Sequence, residues 1–404
     1  MLKQVLSIVI LCSLILSING IKPTFASEPI EDSWVSIASM PTARSALGTV
    51  ALNYKIYAIG GSLSTREPLV DLVATNEEYN ISANTWVTRG PMPTPRAYFA
   101  IAAYQNKVYC IGGAVGMASV DERSGFTGYV TTNINEAYDV VTGTWTTMAP
   151  MPKEGMYISA QEVNGKIYVI GQARLYVYDP AADSWTNKTS MPLPLPGYPL
   201  VSAAFDDKIV FTGKYGVENA LQRPHDELQT LIYDTVNDSW AQASSAPTVV
   251  TLGGAAATTG TAAPKRVYVF GLATEFYPPF SVNEIYDPQS DTWTTGMPTP
   301  ENRSDFSVAV ANDQFYAIGG YLYAPRTLTL TNLNERYTPM GYDSTVHTET
   351  PLVSPSDYPE QQIGNNQQLS SVIIIAAVAV TVIAIISGFA VYLKRRKRIQ
   401  KALK

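Results

Sequence analysis

The feature that most constrains the fold is a tryptophan that recurs in one local context along most of the chain. The sequence contains six tryptophans, and each follows a serine or threonine. From the second onward, a tyrosine lies seven residues before each tryptophan. The tryptophans are Trp34, Trp86, Trp145, Trp185, Trp240 and Trp293, and the tyrosines are Tyr79, Tyr138, Tyr178, Tyr233 and Tyr286. A unit repeated about every 50 residues predicts similar modules that pack side by side.

The best preserved unit, residues 97–145, predicts four short antiparallel strands. Two alternating strands meet at the polar pair Gln105-Asn106, a glycine pair ends the second strand, the third carries Tyr138, and the fourth begins near Trp145. Alternation interrupted by tight polar turns is the pattern of β-hairpins. The glycines recur as Gly60-Gly61, Gly112-Gly113 and Gly319-Gly320, and as Gly171, Gly213 and Gly271 without a second glycine.

These residues resemble the kelch repeat, in which a glycine pair after an apolar strand is followed by a tyrosine and a tryptophan at fixed spacing. The resemblance covers roughly residues 33–339. It implies an all-β fold, a β-propeller whose blades are four-stranded sheets. The middle units depart from the pattern, because Gln172, Lys214 and Leu272 replace the second glycine.

The offset between glycines and tryptophans predicts how the ring closes. Trp34 precedes the first glycine unit, whereas the last unit has Tyr337 but has Ser344, not tryptophan, seven residues later. We therefore expect the N-terminal strand around Trp34 to complete the blade that begins near Arg303. This predicts a six-bladed kelch-type β-propeller in which closure removes the exposed edge of an open array.

Both ends of the chain have the composition of targeting segments. An apolar run after Lys3 and small residues before Ser27 are typical of a secretory signal peptide, predicted at residues 1–26. Near the C-terminus an uncharged apolar segment long enough to cross a bilayer precedes a basic cluster, which marks the cytoplasmic side.

The chain therefore divides into five predicted parts. A propeller at 27–339 follows the signal peptide. A flexible extracellular stalk at 340–369 leads to one C-terminal transmembrane helix at 370–393, and a basic cytoplasmic tail occupies 394–404. This predicts a single-pass cell-membrane protein whose N-terminal domain is extracellular.

The charge distribution disfavours nucleic acid as a partner. Of 28 basic residues, two lie in residues 1–26 and seven in 394–404, which leaves 19 against 34 acidic residues between them. A nucleic-acid-binding domain needs the opposite sign. We expect a membrane-anchored monomer whose partner is an extracellular protein or glycan.

Candidate ligand-binding residues lie in crossovers and variable loops, which would share one face. Variable loops on a rigid scaffold are common recognition sites, and the longest contains Arg123 and Tyr129. In the crossovers stand Arg44, Arg96 and Arg303, replaced in other units by Gly155, Gly197 and Ala255. The resemblance implies that such arginines line the channel mouth, where their guanidinium groups would bind anions. The alternative is a structural salt bridge or backbone cap between blades.

The sequence shows no pattern of catalysis or of metal binding. His225 and His347 lie far apart, and no phosphate loop or calcium loop is present. We expect no metal and no cofactor. Cys110 is expected to be a buried small residue. Asn80, Asn187, Asn237 and Asn302 stand in N-glycosylation sequons.

The interpretation we favour is a non-catalytic cell-surface binding module that recognises a protein or glycan. One alternative is a sugar-acting propeller enzyme of the sialic-acid mutarotase type, since that activity needs no metal. A second is an envelope scaffold without a small-molecule ligand. Fold alone does not decide among them.

Overall fold

The computed structural model describes residues 29–346 with internal gaps. The gaps are 65–70, 118–119, 122–124, 127, 172–173, 193–200, 216–226, 249, 274–277 and 325–326. The predicted signal peptide, transmembrane segment, tail and most of the stalk lie outside the described residues. Within the described ranges, no helix is long and apolar enough to cross a membrane. The chain divides into a unit at Met1–Thr348, which holds every described residue, and a unit at Glu349–Lys404.

The described part of the chain contains six four-stranded antiparallel sheets. The first has β2 (Gly48–Leu52), β3 (Lys55–Ile59), β4 (Asn76–Asn80) and β5 (Thr85–Thr88); the second has β6 (Ala100–Tyr104), β7 (Lys107–Ile111), β12 (Asn135–Asp139) and β13 (Thr144–Met148); the third has β14 (Ser159–Val163), β15 (Lys166–Gly171), β16 (Arg174–Asp179) and β17 (Ser184–Asn187).

The remaining sheets continue this pattern, apart from the origin of one strand. The fourth has β18 (Val201–Phe205), β19 (Lys208–Tyr215), β20 (Glu227–Asp234) and β21 (Ser239–Ala243); the fifth has β22 (Val250–Ala257), β23 (Val267–Ala273), β24 (Phe280–Asp287) and β25 (Thr292–Thr295); the sixth has β27 (Ser307–Ala311), β28 (Gln314–Ile318), β31 (Asn334–Thr338) and β1 (Ser33–Ser36).

Smaller ribbons extend from the loops between second and third strands, and one of them also pairs with a short strand in the crossover into the sixth sheet. They are β8 (Ala114–Met117) with β11 (Tyr129–Thr131), β9 (Val120–Asp121) with β10 (Gly125–Phe126), and β26 (Arg303–Ser304) with β29 (Tyr321–Ala324) and β30 (Thr327–Leu330).

Burial explains the strand sequences. The second strands β3 and β7 are buried along nearly their whole length, because neighbouring sheets cover both faces. Such strands are apolar without alternation. The fourth strands β5 and β13 are mostly exposed and consist largely of threonine around one tryptophan.

The N-terminal strand closes the sixth sheet, as its spacing predicts. Trp34 lies opposite Tyr337, and Ser36 lies opposite Glu335. The rings of Trp34 and Tyr337 are 5.1 Å apart between centroids. A strand from the start of the domain thereby covers the edge of β31.

The first strands of the sheets contact one another in a closed cycle. Strand β2 contacts β6, β6 contacts β14, β14 contacts β18, β18 contacts β22, β22 contacts β27, and β27 contacts β2. All six border a cavity of about 560 Å³. The sheets therefore surround a central cavity, and their outer strands face solvent.

The repeated tryptophans join neighbouring sheets. The indole Nε1–H of Trp86 donates to the Ala38 carbonyl at 2.7 Å, which ties the first sheet to the segment leaving the sixth. Trp185 makes the same bond to Ala149 at 2.8 Å. The other four tryptophans donate to carbonyls of the preceding segment in the same way. The six indole hydrogen bonds thus join each sheet to the next around the cavity.

One assignment from the glycine spacing is wrong. Counting back from Gly271 places Ala255 at the crossover position of Arg44, but Ala255 lies inside β22 and pairs with Val269. The error arises because the turn 258–266, between β22 and β23, is longer than the corresponding turns of the other sheets. The crossover into the fifth sheet instead reads Ala246-Pro-Thr-Val-Val250, where the first reads Met40-Pro-Thr-Ala-Arg44.

Candidate functional site

The three crossover arginines are buried in ion pairs inside the sheets. None of their side chains has exposed surface. The pairs are Arg44 with Glu77, Arg96 with Glu136, and Arg303 with Glu335. Each glutamate lies on the third strand of the sheet that its arginine precedes. The crossover is therefore fixed to its own sheet by a charge pair.

Further hydrogen bonds engage the terminal nitrogens of the guanidinium groups, whereas the buried Nε of each arginine has no hydrogen-bond partner. Arg96 donates to the Thr94 carbonyl at 3.0 Å and to the Cys110 carbonyl at 2.8 Å. Arg44 makes the equivalent bond to the Ala58 carbonyl at 2.7 Å. None of the three arginines lines the central cavity. The three arginines therefore do not form the anion-binding rim that the resemblance implies. They form the structural salt bridges of the alternative, and each salt bridge lies within one sheet.

The third pair differs electrostatically from the first. Burial lowers the pKa of Arg44 and Arg303, while the adjacent glutamates oppose this shift. Burial, together with the neighbouring Glu301, raises the pKa of Glu335 to about 7, although Arg303 acts in the other direction. In the first sheet the position of Glu301 is occupied by Thr42, which donates to Glu77 at 2.7 Å.

The glycine pair allows the next crossover to approach closely. The Gly61 N–H donates to the Arg96 carbonyl at 2.9 Å. Gly60 and Gly61 have φ angles of 62° and 100°, which side chains disfavour. A Cβ at Gly60 would lie 2.7 Å from the same carbonyl oxygen. The pair therefore joins one sheet to the next at the arginine.

Two residues beyond this position, the backbone turns left-handed at the mouth of the cavity. Ala46, Tyr98, Tyr157 and Asp305 have φ angles of 53°, 54°, 53° and 52°. Successive N–H groups donate to successive carbonyls, from Ala46 to Asp305, Tyr98 to Ala46 and Tyr157 to Tyr98, at 2.9–3.1 Å. Left-handed backbone costs about 1–2 kcal/mol in residues with a side chain, and such strain often accompanies functional sites.

Three tyrosines and one aspartate gather at this mouth. The Tyr98 and Tyr157 rings are 4.2 Å apart between centroids, and Tyr129 meets Tyr98 edge-on at 6.4 Å. The Tyr98 hydroxyl donates to Asp305 at 3.4 Å. All four side chains are partly exposed. We call this group the mouth cluster.

The loops of adjacent sheets support the mouth cluster. Tyr98 and Tyr129 pack with Ala46, Ala97 and Tyr321 in one apolar cluster. The Tyr321 hydroxyl donates to the Ser64 carbonyl at 2.6 Å, which connects loops of the sixth and first sheets. The aromatic rings therefore rest on a packed base.

The cavity below the mouth has polar and apolar surface in similar amounts and is lined by two acids. Its charged lining residues among those described are Glu162 and Asp305, without lysine or arginine. Gln161, Ser159 and Ser202 contribute polar groups on one side. Aromatic faces with a few fixed polar groups suit sugars and peptide side chains.

Only part of this site is evident from the sequence. Tyr129 belongs to the mouth cluster, whereas Arg123, His225 and His347 lie outside the described residues. Tyr98, Tyr157 and Asp305 were missed; their shared spacing, two residues after the crossover position, was the available signal. No metal-binding group of His, Cys, Asp or Glu occurs among the residues described.

Other predicted residues are structural or peripheral. Cys110 is fully buried, which raises the pKa of its thiol to about 12. Asn187 is exposed on β17. The amides of Asn80 and Asn237 take part in turns, and Asn302 accepts from the Ser281 N–H and donates to the Pro279 carbonyl. Of the four sequons, Asn187 has the geometry best suited to a glycan.

Comparison with known proteins identifies the repeat. The Kelch motif model matches residues 43–93 and 95–152. This chain contains kelch repeats. The tryptophans and glycine pairs of the repeat form the hydrogen bonds between sheets described above, so the repeat signature and the packing coincide.

Similar proteins match part of this chain and a smaller part of their own length. Kelch-like protein 35 of Mus musculus is 27% identical over 166 residues, 41% of this chain and 26% of that protein. Kelch-like protein terF of Aspergillus terreus is 32% identical over 33% of this chain and 30% of its own length. Alpha-scruin of Limulus polyphemus is 25% identical over 53% of this chain and 24% of its own. The chain thus spans under a third of each.

A solved structure supports the fold. The structure of YjhT superposes with a TM-score of 0.54 over 73% of this chain and 95% of that one, at 14% sequence identity. At an identity this low the similarity supports only the fold, which in this chain is an all-β arrangement of four-stranded sheets.

Proposed function

We propose that this chain is a six-bladed kelch propeller that binds an extracellular protein or glycan through the mouth cluster, without catalysing a reaction. The closed cycle of six first strands supports the blade number. The strand pairing of Trp34 with Tyr337 supports closure by the N-terminus. Each of the six four-stranded sheets is then one blade.

The observation that carries the binding proposal is the left-handed backbone of the mouth cluster. Tyr98 and Tyr157 adopt a conformation that is costly for tyrosine, at positions where Asn or Gly would fit more easily. That backbone brings their rings together at the cavity opening. Tyrosine buries much area at little entropic cost, which is why it anchors many interfaces.

The charge of the cavity favours a neutral or cationic group over a carboxylate. Its described lining contains two acids and no base, because Arg44, Arg96 and Arg303 are used in ion pairs. Sugar hydroxyls or an uncharged peptide segment fit this lining, with Asp305 as a hydrogen-bond acceptor. A sialic-acid-directed enzyme would need a carboxylate-binding group from elsewhere.

Binding can be tested with full-length protein on arrays of glycans and of extracellular proteins. We expect Tyr98→Asn and Tyr157→Asn to reduce binding to any hit at least about tenfold, since asparagine tolerates the left-handed backbone but removes the ring. Tyr54→Asn is the matched control, because Tyr54 has the same left-handed backbone, with a φ of 59°, but is exposed in a turn at the other end of its sheet. Undiminished binding by both mouth variants would contradict the proposal.

The same preparation separates the two alternatives. Exchange of sialic-acid anomers, followed by NMR, would indicate the mutarotase-type enzyme. Absence of any binding on both arrays would indicate a scaffold.

We further propose a cell-surface location, based on the sequence of residues 1–26 and 370–404. A signal peptide before the propeller and an apolar segment followed by basic residues would leave the propeller outside the cell. Reaction of intact cells with a membrane-impermeant amine reagent should label propeller lysines such as Lys107 and Lys166. Labelling that requires lysed cells would contradict this location.

A further inference from the structure

One position in the repeat shows a mismatch between a buried acid and its surroundings. The residue two before the repeated tyrosine lies on the third strand of each sheet and faces a residue of the second strand. In chain order the six pairs are Glu77–Ala58, Glu136–Cys110, Tyr176–Val169, Leu231–Phe211, Glu284–Val269 and Glu335–Ala317.

Two kinds of environment are present at this position. In the first, second and sixth sheets the acid faces a small residue, and a crossover arginine fills the remaining space. In the third and fourth sheets the acid is replaced by Tyr176 or Leu231, and its neighbour is larger. The acid, the arginine and the small neighbour thus occur together or are lost together, except in the fifth sheet.

The fifth sheet keeps the acid in the environment of the sheets that lack arginine. Glu284 faces Val269, and the crossover has Val249-Val250 after Thr248, where the first sheet has Ala43-Arg44 after Thr42. Val269 is also larger than Ala58, whose backbone carbonyl accepts from Arg44 in the first sheet. The fifth crossover therefore supplies no cation to the acid as the arginine-containing crossovers do.

Glu284 is 1% exposed, and neither carboxylate oxygen has a hydrogen-bond partner among the described groups. The Thr248 hydroxyl is near enough to affect its titration but does not meet hydrogen-bond geometry. On the fourth strand, the residue opposite Glu284 is Thr295. An ionised carboxylate is very costly in such a site, whereas a neutral acid is much less so.

The surrounding titratable groups are engaged elsewhere. On the same strand, the Tyr286 hydroxyl donates to Asp291 at 2.8 Å. On the side of the next crossover, the Glu301 backbone carbonyl accepts from the Ser281 hydroxyl at 2.9 Å, and the Glu301 side chain acts on Glu335. Burial raises the pKa of Glu284, and only the Thr248 hydroxyl opposes this shift.

We propose that Glu284 is an uncharged acid in the folded protein and acts as a protonation switch that weakens the fifth sheet when it ionises. Its pKa is higher folded than unfolded, so its contribution to stability is complete at pH below about 4.3, the unfolded value, and is lost as pH rises through the folded value. The loops of the fifth sheet would therefore be held more firmly at acidic pH than at alkaline pH.

Thermal unfolding of the full-length protein between pH 5.5 and 8.5 tests the switch. Glu284→Gln keeps the shape but cannot ionise. We expect the midpoint of Glu284→Gln, relative to that of the parent, to be about 2–4 °C higher at pH 8.5 than at pH 5.5, the shift that a change of about 1 kcal/mol gives in a domain somewhat smaller than this one. Glu136→Gln is the matched control, and its midpoint should fall at both pH values because Arg96 loses its partner.

A second variant keeps the test decisive if Glu284→Gln folds poorly. Glu284→Leu reproduces the leucine found at this position in the fourth sheet, and should show the same gain at pH 8.5. If both variants are less stable than the parent at pH 8.5, Glu284 is ionised and paired with a cation, and the proposal is wrong. Unchanged midpoints at both pH values would also overturn it.

Discussion

Arg96 illustrates how burial decides what an arginine does. Its crossover position faces the region expected to bind ligands, yet its side chain has no exposed surface. The guanidinium is surrounded by the Glu136 carboxylate, the Cys110 and Thr94 carbonyls and the Phe99 ring, 5.6 Å away. Its energetic role is to neutralise a buried carboxylate.

Arg96→Ala should therefore destabilise the protein strongly, without acting first on ligand binding. Removing one partner of a buried pair costs about 3–5 kcal/mol, and chemical denaturation would measure the loss. Arg89→Ala is the control, because Arg89 and Glu78 form a more exposed pair that should contribute at most about 1 kcal/mol. Equal effects of the two variants would contradict the assigned role of Arg96.

Burial of Glu335, with a further contribution from Glu301, makes the sixth sheet sensitive to pH. Because the pKa of Glu335 is raised to about 7, the associated stability is complete below its unfolded pKa and is lost as pH rises through about 7. Glu301→Thr restores the residue type of Thr42 and Thr94, whose hydroxyls donate to the paired glutamates. We expect a higher unfolding midpoint at pH 8.5 and a flatter pH profile.

The control for this prediction is Glu154→Thr, at an exposed crossover position in the third sheet. It should leave the pH profile nearly unchanged. A profile for Glu301→Thr that stays parallel to the parent from pH 5.5 to 8.5 would show that Glu301 does not set the titration of Glu335.

At the scale of elements, the turn between third and fourth strands joins neighbouring sheets. The Tyr178 hydroxyl donates to Asp183 at 2.6 Å, and the same carboxylate accepts the Ala149 N–H at 2.7 Å. Asp183 has a φ of 47°. Four other sheets repeat this arrangement with Asn84, Asp238, Asp291 and Asp32. The second sheet has Gly143 instead.

This difference allows a reciprocal exchange. Asp183→Gly keeps the left-handed turn but leaves the buried Tyr178 without its acceptor, and should cost about 1–3 kcal/mol. Gly143→Asp should gain about 0.5–1.5 kcal/mol, since a Cβ there would lie 3.7 Å from the Tyr138 hydroxyl. Chemical denaturation checks both. A stabilising Asp183→Gly would show that the acceptor is not needed.

The sequence predicts what depends on local spacing and misses what depends on backbone course. The strand of Trp34 was matched to that of Tyr337 because both belong to a periodic pattern. The sequence leaves the role of the arginines open between ligand binding and a structural salt bridge, since their charge suits a ligand as well as a glutamate on a strand. The left-handed turns at Tyr98 and Tyr157 carry no glycine or asparagine to mark them. The longer turn 258–266 is the reason why counting back from Gly271 places Ala255 wrongly at the crossover position.

At the scale of the whole molecule, closure connects residues far apart in sequence. Besides the β1–β31 pairing, the Gly341 N–H donates to Glu31 at 2.7 Å, and the Tyr337 hydroxyl donates to Asp32 at 2.7 Å. Trp34 also packs on Phe270 of the fifth sheet, 5.3 Å away. Opening this junction would expose the edge of β31 and an aromatic cluster, with the usual hazard of edge pairing between molecules.

A disulfide across the junction should therefore stabilise the protein more than one inside a hairpin. Val35 lies opposite Arg336, and in the fourth sheet Ile232 lies opposite Ala241 at the equivalent position. In the chain-entropy model, cross-linking Val35→Cys with Arg336→Cys restrains about 300 residues of unfolded chain and contributes about twice what the short hairpin of Ile232→Cys with Ala241→Cys contributes.

The measurement is the difference in unfolding midpoint between the oxidised and reduced forms of each double variant, which cancels the cost of the substitutions themselves. The buried Cys110 is common to both variants and does not affect the comparison. We expect the junction variant to show the larger difference. A difference no larger than that of the hairpin variant would mean that β1 leaves β31 before the rest of the ring unfolds, and that closure does not govern the stability of the whole.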